Sequence, residues 1–496
     1  MKRVLTLLAA CAALSAWAIQ VDNTAGNLSS LVTDNTITQL SITGTMDARD
    51  FKFITDNLKD LTSLNLSNAQ IVAYSNQDTP LYLDVTSYEE NAIPPMAFFG
   101  KKLKYLSLPN TLKKVGMASF AGCEEIESLN LPQSLEVIDA HAFNSCKGIK
   151  QVVIPSGLTE LGEGAFARCD NLITTNISPD NSLIVGKDAF MDCKTLSSVT
   201  LGENVTAIGP GAFSGCTALH SPSLAQGSNL TTIAEAAFIN SGVESIALDQ
   251  CSKLSSIGMW AFANTPLTNV TLPESLESLG DGAFYYNLDM EEIDIPTSVT
   301  NLSSYLLAGN NNIITEQVVK DGVTTIGDYA FYNWDNISTF HFPASVEYVG
   351  TKAMAGQTGL DYVTADPTTV PELGDSVWAG VNQPSIPLRV QESVVNDYRS
   401  AEQWKEFKIE SIPTDIEKNI ADATDVKAFF SGTILNITAT KAIANVAIFD
   451  TRGVLLSAAT PGKEKAQLDT SNFSGKYYIV NVVLADGTKR AFKMVR

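Results

Sequence analysis

The sequence has few basic residues and very few histidines. It contains 33 Lys and Arg residues against 54 Asp and Glu residues, which gives a net charge of −21. Nucleic acids and anionic membranes are bound by basic faces, so this balance argues against both classes of partner. The three histidines, His141, His220 and His341, lie near no motif of a known hydrolase or metal site.

Catalytic and metal-binding patterns are also missing. The sequence has no pair of cysteines at the C-x-x-C spacing, no glycine-rich phosphate loop and no EF-hand loop. Adjacent carboxylates such as Glu124-Glu125 and Glu291-Glu292 are, in a chain this acidic, more typical of a solvated face than of an acid–base pair. We therefore predict a protein that is not an enzyme and that uses no cofactor and no metal ion.

Long apolar runs are absent beyond the N-terminus. There, two basic residues precede the apolar stretch 4–16, and a small-x-small sequence ends at Ala18. This predicts a secretory signal peptide, residues 1–18, because the run is too short for a transmembrane segment. The alternative is a lipoprotein signal, in which Cys11 becomes the lipidated N-terminus. Both routes predict an extracellular or surface-attached chain.

What the sequence does contain is a repeat. A phenylalanine recurs at intervals of 22 to 25 residues and usually follows an alanine. The series is Phe98, Phe120, Phe143, Phe166, Phe190, Phe213, Phe238, Phe262, Phe284 and, two units later, Phe331, with Leu307, Met354 and Trp378 at the same position of other units. The general unit is L-x-x-L-x-L-P-x-x-L-x-x-I-G-x-x-A-F-x-x-C.

Each part of this unit has a physical reading. The L-x-L step has strand period, the proline ends that strand, and the glycine marks a turn where a Cβ would be in the way. One unit cannot bury its own apolar side, so the units are predicted to stack, with the phenylalanines filling the core between coils.

The cysteine of the unit recurs in five successive units. The residues are Cys123, Cys146, Cys169, Cys193 and Cys216. Coils about 5 Å apart would bring these thiols within reach of disulfide formation. Later units, however, use Ser241, Thr265 and Asn287 near this position. We therefore predict that these cysteines, and Cys251 outside the column, are buried thiols that fill the core.

This repeat resembles the BspA-type leucine-rich repeat, a 23-residue class found in surface proteins of oral and gut anaerobes and of spirochaetes. The resemblance covers residues 37–410 and implies a leucine-rich repeat solenoid of short parallel β-strands with turns and few helices. Units at 172–190, 219–238 and 301–331 depart from the pattern, so bulges or insertions are expected there. The resemblance also implies adhesion to host proteins or to other bacteria.

Both ends of the array are predicted to be capped, as terminal repeats require. Residues 19–96 form an N-terminal cap with divergent repeats, in which strands at 40–42 and 64–66 flank a helix at 47–61.

The solenoid and its C-terminal cap occupy residues 97–410. The cap consists of a strand at 388–390 and an amphipathic helix at 393–407. The helix residues expected to face the core are Val394, Val395, Tyr398 and Trp404.

The C-terminal segment has a different pattern. Residues 411–424 are polar and predicted to be a linker. In residues 425–496, short alternating segments flank glycine-containing turns, which predicts a small antiparallel β-sandwich. This segment resembles the C-terminal sorting domain of type IX secretion cargo, on a V-x-I-F-D-x-x-G element at 446–453, a loop at 468–474 and a basic C-terminal end. An Ig-like module with no sorting role is the alternative.

Candidate binding residues follow from the strand pattern, since the residues that flank the second leucine of each strand point outwards. The selected members of this column are Tyr105, Asn130, Gln151, Asn269, Glu292, Asp294, His341 and Tyr362. Three tyrosines that follow core positions, Tyr285, Tyr286 and Tyr332, are added as exposed aromatics suited to protein or sugar contacts.

The predicted function is binding of an extracellular protein or glycan along the solenoid surface. Adhesion is the first hypothesis. A glycan-binding accessory protein of a nutrient-uptake system is the second, favoured if the aromatic residues form one exposed platform. A solvated sheet face without a ligand is the simpler interpretation of the same polar column.

Overall fold

The computed structural model of the chain describes residues 18–76, 81–312, 319–412, 426–431, 433–449, 455–471, 473 and 477–495. Of the predicted signal peptide only Ala18 lies in this part of the chain, and of the predicted linker only residues 411 and 412 do. None of the helices in these ranges has the length and apolar character needed to span a bilayer.

The chain divides into two compact units. One comprises the residues up to 388 together with 397–408, and the other comprises 389–396 together with 409–496. The strands up to residue 412 are β1 (Ala18–Asn23), β2 (Gln39–Met46), β3 (Ser63–Ile71), β4 (Tyr74–Ser75), β5 (Ser87–Tyr88), β6 (Ala92–Ile93), β7 (Tyr105–Ser107), β8 (Lys114–Val115), β9 (Val137–Ile138), β10 (Gln151–Ile154), β11 (Glu160–Leu161), β12 (Thr174–Ile177), β13 (Leu183–Val185), β14 (Ser198–Leu201), β15 (Val205–Ile208), β16 (Ser223–Leu224), β17 (Thr232–Ile233), β18 (Ser256–Ile257), β19 (Asn269–Thr271), β20 (Ser278–Leu279), β21 (Glu292–Asp294), β22 (Asn301–Leu302), β23 (Thr325–Ile326), β24 (Thr339–Phe342), β25 (Tyr348–Val349), β26 (Tyr362–Ala365), β27 (Glu372–Leu373), β28 (Pro387–Gln391) and β29 (Lys408–Ile412). The helices are α1 (Leu28–Leu31), α2 (Ala48–Asn57) and α3 (Val395–Ser400), with 3-10 turns at Gln383–Ser385, Glu392–Val394 and Trp404–Glu406.

Each regular coil contributes two short strands to two parallel sheets. The L-x-L strands pair in register, as in β10 and β12, where Gln151 lies opposite Thr174. The two residues before the glycine form a second strand, and nine of these make a sheet in the order β20-β18-β17-β15-β13-β11-β9-β8-β6. The inward side chain of this second strand is the isoleucine or leucine of the repeat, for example Ile138, which is fully buried.

The third side of each coil is a turn centred on the core phenylalanine. The amide of Phe143 donates to the carbonyl oxygen of Ala165 in the next coil at 2.8 Å, and the amides two residues before and after it also donate to that coil. These two flanking residues, His141 and Ser145, have left-handed φ angles of 56° and 59°. A residue as large as Trp260 also adopts this conformation, because the ladder to the next coil fixes the backbone.

The phenylalanines form one continuous stack from Phe98 to Phe284, and all of these rings are fully buried. Successive ring centroids are 5.1 to 5.5 Å apart. The predicted core is therefore confirmed. The stack ends where Leu307 takes the core position, and Phe331 packs edge-on against Trp334 at 5.0 Å instead.

The glycine after each second strand allows adjacent coils to approach closely. A Cβ at Gly280 would lie 2.2 Å from the amide nitrogen of Met259, and one at Gly116 would lie 2.6 Å from the carbonyl oxygen of Ile93. Real Cβ contacts are longer than this, so a larger residue would push the coils apart. The role predicted for these glycines is confirmed.

Helix α2 closes the N-terminal end of the phenylalanine stack. It begins with a capping box, in which the Asp50 side chain accepts a hydrogen bond from the Asp47 amide at 3.0 Å. Phe51 of this helix packs edge-on against Phe98, with ring centroids 5.8 Å apart.

The C-terminal end of α2 is held by a buried amine. The Nζ atom of Lys101 donates to the carbonyl oxygens of Ile54 and Leu58 at 2.9 and 2.8 Å. Burial lowers the pKa of this amine to about 8. The helix ends at Asn57, before the predicted end at residue 61, because Leu58 already has a non-helical conformation.

Two strand predictions are wrong in detail. Residues 128–130, where the L-x-L step around Leu129 predicts a strand, form no regular strand, and Ser128 makes only an isolated bridge to Tyr105. Residues 245–247 also form no strand. The central apolar residue of both segments stays buried. The sequence pattern thus gives the side-chain direction, whereas pairing also depends on a neighbouring strand in register.

The predicted helix at 393–407 is broken. It consists of a 3-10 turn, the short α3 and a second 3-10 turn, because Gln403 has a left-handed φ angle of 63° that interrupts it. The four apolar residues expected to face the core are nevertheless buried.

The C-terminal unit contains two antiparallel sheets. The strands are β30 (Val426–Ser431), β31 (Ile434–Ala439), β32 (Ile443–Phe449), β33 (Leu455–Ala459), β34 (Lys465–Asp469), β35 (Tyr477–Leu484) and β36 (Lys489–Val495). One sheet has the order β30-β31-β34 and the other β33-β32-β35-β36. Both contribute to one core, which includes Leu435, Val446 and Tyr478. The fold agrees with the predicted sandwich, and the turn at 450–453 lies outside the described residues.

Candidate binding surfaces

The sheet-face array is the set of outward residues predicted from the L-x-L strands. Its members are Tyr105, Asn130, Gln151, Asn269, Glu292, Asp294, His341 and Tyr362. The first six are exposed and the last two are half-buried. They lie on β7, β10, the β19-β21 pair and the β24-β26 pair, which belong to four separate sheets, while Asn130 lies on no strand. The strand pairing along this side of the solenoid is therefore interrupted between these members.

Two pairs within this array do come together. Asn269 lies directly opposite Glu292 on the neighbouring strands β19 and β21. Asn130 and Gln151 line one surface depression of about 500 Å³, where the strand pairing is interrupted.

Two ionisable members of the array, Asp294 and His341, already have partners. The carboxylate of Asp294 is ion-paired with Lys320, and Nε2 of His341 lies 3.4 Å from Oδ2 of Asp366. Exposed pairs of this kind contribute about 0–1 kcal/mol, so they could be exchanged for contacts with a ligand at little cost.

The cysteine column belongs to the core. The thiols of Cys123, Cys146, Cys169, Cys193 and Cys216 each donate to the carbonyl oxygen of the core phenylalanine one coil earlier, at 3.0 to 3.3 Å. All six cysteines in the described part of the chain are unbridged and buried, as predicted. Burial raises the thiol pKa, to about 12 for Cys123 and Cys193.

A second candidate surface lies on the turn side of the solenoid. We refer to it as the aromatic turn surface, and its members are Trp260, Tyr285, Tyr286, Tyr305, Tyr329 and Tyr332. Contacts with ring centroids 4.8 to 6.4 Å apart connect all six across successive coils. Tyr286 is 46% exposed, Tyr332 is 37% exposed, and the others are half-buried. The structure thus brings the three predicted tyrosines into one cluster.

Three members of this cluster were not among the predicted site residues. Trp260, Tyr305 and Tyr329 each lie two residues before a core position and have left-handed φ angles of 55° to 57°. This position of the unit accepts many residue types, from glycine at 164, 211 and 282 to tryptophan at 260. The signal that could have identified them is the recurrence of an aromatic residue at this one offset in several neighbouring units.

Two glycines make room for the rings. A Cβ at Gly282 would lie 2.3 Å from the ring of Trp260, and a Cβ at Gly309 would lie 2.7 Å from the ring of Tyr286. Each ring therefore lies across the backbone of the next coil, which restricts its movement.

A lysine closes one end of the cluster. The Nζ atom of Lys352 lies 5.6 Å from the ring centroid of Tyr329, within the range of a cation–π contact. Burial, together with the nearby Tyr329 and Asp328, raises the pKa of the Tyr305 hydroxyl, so this group stays protonated at neutral pH.

Comparison with protein families gives one match. The BspA type leucine rich repeat region (6 copies) matches residues 91–220, 183–314, 231–361 and 324–445. These matches overlap and together span residues 91–445. No curated protein matches the chain.

Several solved structures are similar to the chain. A leucine-rich repeat protein from Bacteroides ovatus ATCC 8483 matches 66% of this chain and 89% of its own, with 22% identity and a TM-score of 0.56. A leucine rich repeat protein from T. pallidum matches 38% of this chain and 77% of its own, with 26% identity and a TM-score of 0.28. A leucine rich cell surface protein from Faecalibacterium prausnitzii A2-165 matches 59% and 86%, with 21% identity and a TM-score of 0.29. The first of these supports the fold alone.

Proposed function

Because the chain belongs to the BspA-type leucine-rich repeat family, we propose that it is a non-catalytic surface protein that binds an extracellular macromolecule through its solenoid. Stacked coils hold their outward side chains in a rigid array, which suits an extended or a folded partner. The observation that carries this proposal is the aromatic turn surface, since contiguous exposed apolar patches mark binding sites.

The experiment is a binding survey with the chain that lacks residues 1–18. The protein is applied to an array of extracellular matrix proteins and glycans, and each positive result is repeated by surface plasmon resonance. Heat-unfolded protein is the control. Saturable binding that is lost on unfolding supports the proposal, and a folded chain that binds nothing on the array contradicts it.

A glycan-binding accessory protein of a nutrient-uptake system is the second candidate. It is favoured by the same cluster, because aromatic rings beside neutral polar groups also suit sugar contacts. A preference for neutral polysaccharides over every protein on the array would favour this candidate.

We also propose that export begins with a signal peptide cleaved after Ala18, and that lipidation at Cys11 does not occur. Ala18 is the first residue of β1, so cleavage there leaves the rest of this strand intact. N-terminal sequencing of the exported protein distinguishes a chain that begins at Ile19 from one that begins at Cys11.

The C-terminal unit is proposed to be a sorting domain of the type IX secretion kind. The support is its antiparallel fold and the basic residues Lys489, Arg490 and Lys493 on the last strand. Deletion of residues 425–496 should leave the repeat array in the periplasm, and fusion of this segment to a periplasmic reporter should carry the reporter to the surface. Protease shaving of intact cells measures both. Equal accessibility of the full-length and truncated chains would favour the Ig-like module without a sorting role.

A further inference from the structure

We infer that the aromatic turn surface is a docking site for a polypeptide that presents Arg and Lys side chains. This inference rests on the proposed binding function, and it adds the face of the solenoid that binds and the chemistry of the partner. It is supported by the orientation of the rings, by the carboxylates beside them and by the composition of the surrounding turns.

The central rings offer edges and hydroxyl groups and not faces. Tyr305 and Tyr329 are parallel within 5°, with centroids 4.8 Å apart, so each covers one face of the other. The second face of Tyr329 has Lys352 beside it, and Trp260 and Tyr285 lie 6.3 and 6.4 Å from Tyr305. A sugar ring stacks on an exposed aromatic face, so this arrangement favours the polar and charged groups of a polypeptide.

Two carboxylates give the surface its charge. Asp281 and Asp328 are exposed and occupy equivalent positions two coils apart, each one residue after a glycine of the second-strand column. Oδ1 of Asp281 accepts a hydrogen bond from the Ser304 amide at 3.1 Å, and Oδ1 of Asp328 accepts one from the Thr351 amide at 2.7 Å. These bonds fix the carboxylates beside the rings, where they complement a cationic side chain.

The cluster itself already accommodates a cation. Lys352 lies over the ring of Tyr329, which places an amine against the negative face of an aromatic group. Tyr286 and Tyr332, which are 46% and 37% exposed, are the members of the cluster that an Arg or Lys of a partner can reach most easily. The net charge of −21 adds long-range attraction for such a partner.

The surrounding turns have the composition of a protein-binding surface. Tyrosine and tryptophan supply large contact areas with few rotatable bonds, and glycine and asparagine supply adaptable polar backbone and side-chain contacts. Gly282, Gly309, Asn264 and Asn333 lie in the same turns as the six rings. Because neighbouring coils already restrict the rings, little conformational entropy is lost when a partner binds.

The test uses the chain without residues 1–18, synthetic peptides of equal length that differ in Arg, Lys, Asp and Glu content, and neutral polysaccharides. One variant combines Tyr305→Ser with Tyr329→Ser. A second combines Asp281→Asn with Asp328→Asn, whose amide oxygens still accept the two backbone hydrogen bonds. Phe99→Ser is the matched control, because Phe99 is a 55% exposed aromatic residue that belongs to neither candidate binding surface. Tyr105→Ser, at a residue that is 52% exposed, separately tests the sheet-face array. A melting curve establishes that each variant is folded.

We expect the unsubstituted chain to prefer peptides rich in Arg and Lys. The tyrosine double variant should lower this affinity about tenfold or more, as loss of central interface aromatics does. The aspartate double variant should weaken binding several-fold and reduce its dependence on salt, while Phe99→Ser leaves binding unchanged.

Three results would overturn the inference. The first is a preference for neutral or acidic peptides. The second is binding of polysaccharides alone, lost in the tyrosine double variant, which would assign the surface to glycans. The third is peptide binding that survives the tyrosine double variant but is lost in Tyr105→Ser. In the last two cases the proposed binding function stands, with a different partner or a different face.

Discussion

Two stretches of the repeat array fill the same slot with different side chains. The slot lies three residues after the core position. From the coil of Phe120 to that of Phe213 it holds cysteine, whereas between Ser241 and Gln357 it holds serine, threonine, asparagine, tryptophan and glutamine. The slot is buried throughout both stretches.

In both stretches, side chains in this slot donate hydrogen bonds to the preceding coil, although not in every coil of the second stretch. The thiol of Cys146 donates to the carbonyl oxygen of Phe120 at 3.1 Å. In the second stretch, Nδ2 of Asn310 donates to the carbonyl oxygen of Phe284 at 2.9 Å. A buried carbonyl without a partner costs about 1–3 kcal/mol. The slot donor should therefore matter most at carbonyls such as that of Phe284, because the Asn287 amide bonds to Asn310 and not to this carbonyl.

The two stretches differ in the size of the donor and in the regularity of the core. The thiol is small, and the coils that carry it keep the phenylalanine rings 5.2 to 5.5 Å apart. Asn310 and Gln357 occur in the coils where Leu307 and Met354 replace the phenylalanine. A smaller core side chain leaves space that a longer amide side chain fills.

The largest expected effect is on the chemistry of the cysteine stretch. Burial raises the pKa of the Cys123 thiol from 9.0 to about 12. The thiolate fraction at neutral pH is therefore about a thousandfold lower in the folded chain than in the unfolded chain. Because the pKa is raised, the native alkylation rate should keep increasing with pH beyond pH 9, where the rate of the unfolded chain levels off. Iodoacetamide labelling at several pH values, followed by mass spectrometry, measures this.

Cys251 serves as the internal control for this measurement. Burial also raises its thiol pKa, but a hydrogen bond with Ser228 opposes the shift, so we expect Cys251 to react before the column. Intact disulfide bridges, or native rates that level off near pH 9, would contradict the assignment of buried thiols.

The next largest effect is expected within the phenylalanine stack. Phe166→Ala removes a ring that lies 5.2 Å from Phe143 and 5.5 Å from Phe190, and should cost about 3–5 kcal/mol of unfolding free energy. Denaturant unfolding followed by tryptophan fluorescence reports on the array, because residues 425–496 contain no tryptophan. Met354→Leu, outside the stack and similar in volume, should cost less than about 1.5 kcal/mol. Equal costs for the two variants would be inconsistent with a continuous stack.

The cysteines were predicted as buried core filler, but their hydrogen bonds to the preceding coil were not predicted. The phenylalanine stack could be predicted from sequence because the fold demands a large apolar residue at a fixed interval. The backbone conformation of the left-handed turn positions could not be predicted from the sequence. His141, Trp260 and Tyr329 share one backbone conformation there, imposed by hydrogen bonds to the next coil and not by the residue itself. Because this position accepts many residue types, the sequence did not reveal that its aromatic residues form part of the aromatic turn surface.

The sheet-face array shows a second feature that the sequence did not predict, the pairing of strands in neighbouring coils. Strand period predicted that all eight members point outwards. Six of them are exposed, whereas His341 and Tyr362 are half-buried. Strand period did not predict the interruptions at 128–131 and 245–247, because the L-x-L pattern is present in both. Pairing depends on the register of two neighbouring coils, which a pattern within one unit does not encode.

A smaller effect is expected from removing one donor in each stretch. Asn310→Leu removes the bond to the Phe284 carbonyl and also the acceptor of the Asn287 amide, which lies 2.7 Å from Oδ1. Two buried polar groups lose their partners, so the cost should be about 2–4 kcal/mol. Denaturant unfolding measures it.

Cys146→Ala is the matched variant of the first stretch. The Phe120 carbonyl still accepts the amide of Cys123 at 3.0 Å, so only one weak bond is lost and the cost should be about 1 kcal/mol. A Cys146→Ala cost as large as that of Asn310→Leu would argue against the difference drawn between the stretches.

The smallest effect is expected at Thr265, whose hydroxyl donates to the core residue of its own coil and not to the preceding coil. Its hydroxyl lies 3.0 Å from the carbonyl oxygen of its own core residue Phe262 and 3.3 Å from Oδ1 of Asn287, and its amide donates to the same Oδ1 at 3.0 Å. Nδ2 of Asn287 is buried without an acceptor. In the next coil, the equivalent amide nitrogen of Asn310 bonds to the Phe284 carbonyl, so Thr265 occupies the acceptor that Asn287 would otherwise use.

Thr265→Val should therefore change the unfolding free energy by less than about 1 kcal/mol, although it removes a buried hydroxyl. Valine has nearly the shape of threonine, the bond from the residue 265 amide to Asn287 is retained, and the freed Phe262 carbonyl becomes available to Nδ2 of Asn287. Asn287→Leu provides the contrast, since it removes the acceptor of the Thr265 amide and should cost about 1–3 kcal/mol. Unfolding of both variants followed by tryptophan fluorescence measures the two costs. If Thr265→Val lowers the unfolding free energy as much as Asn287→Leu does, the hydroxyl itself is required and Asn287 does not replace it.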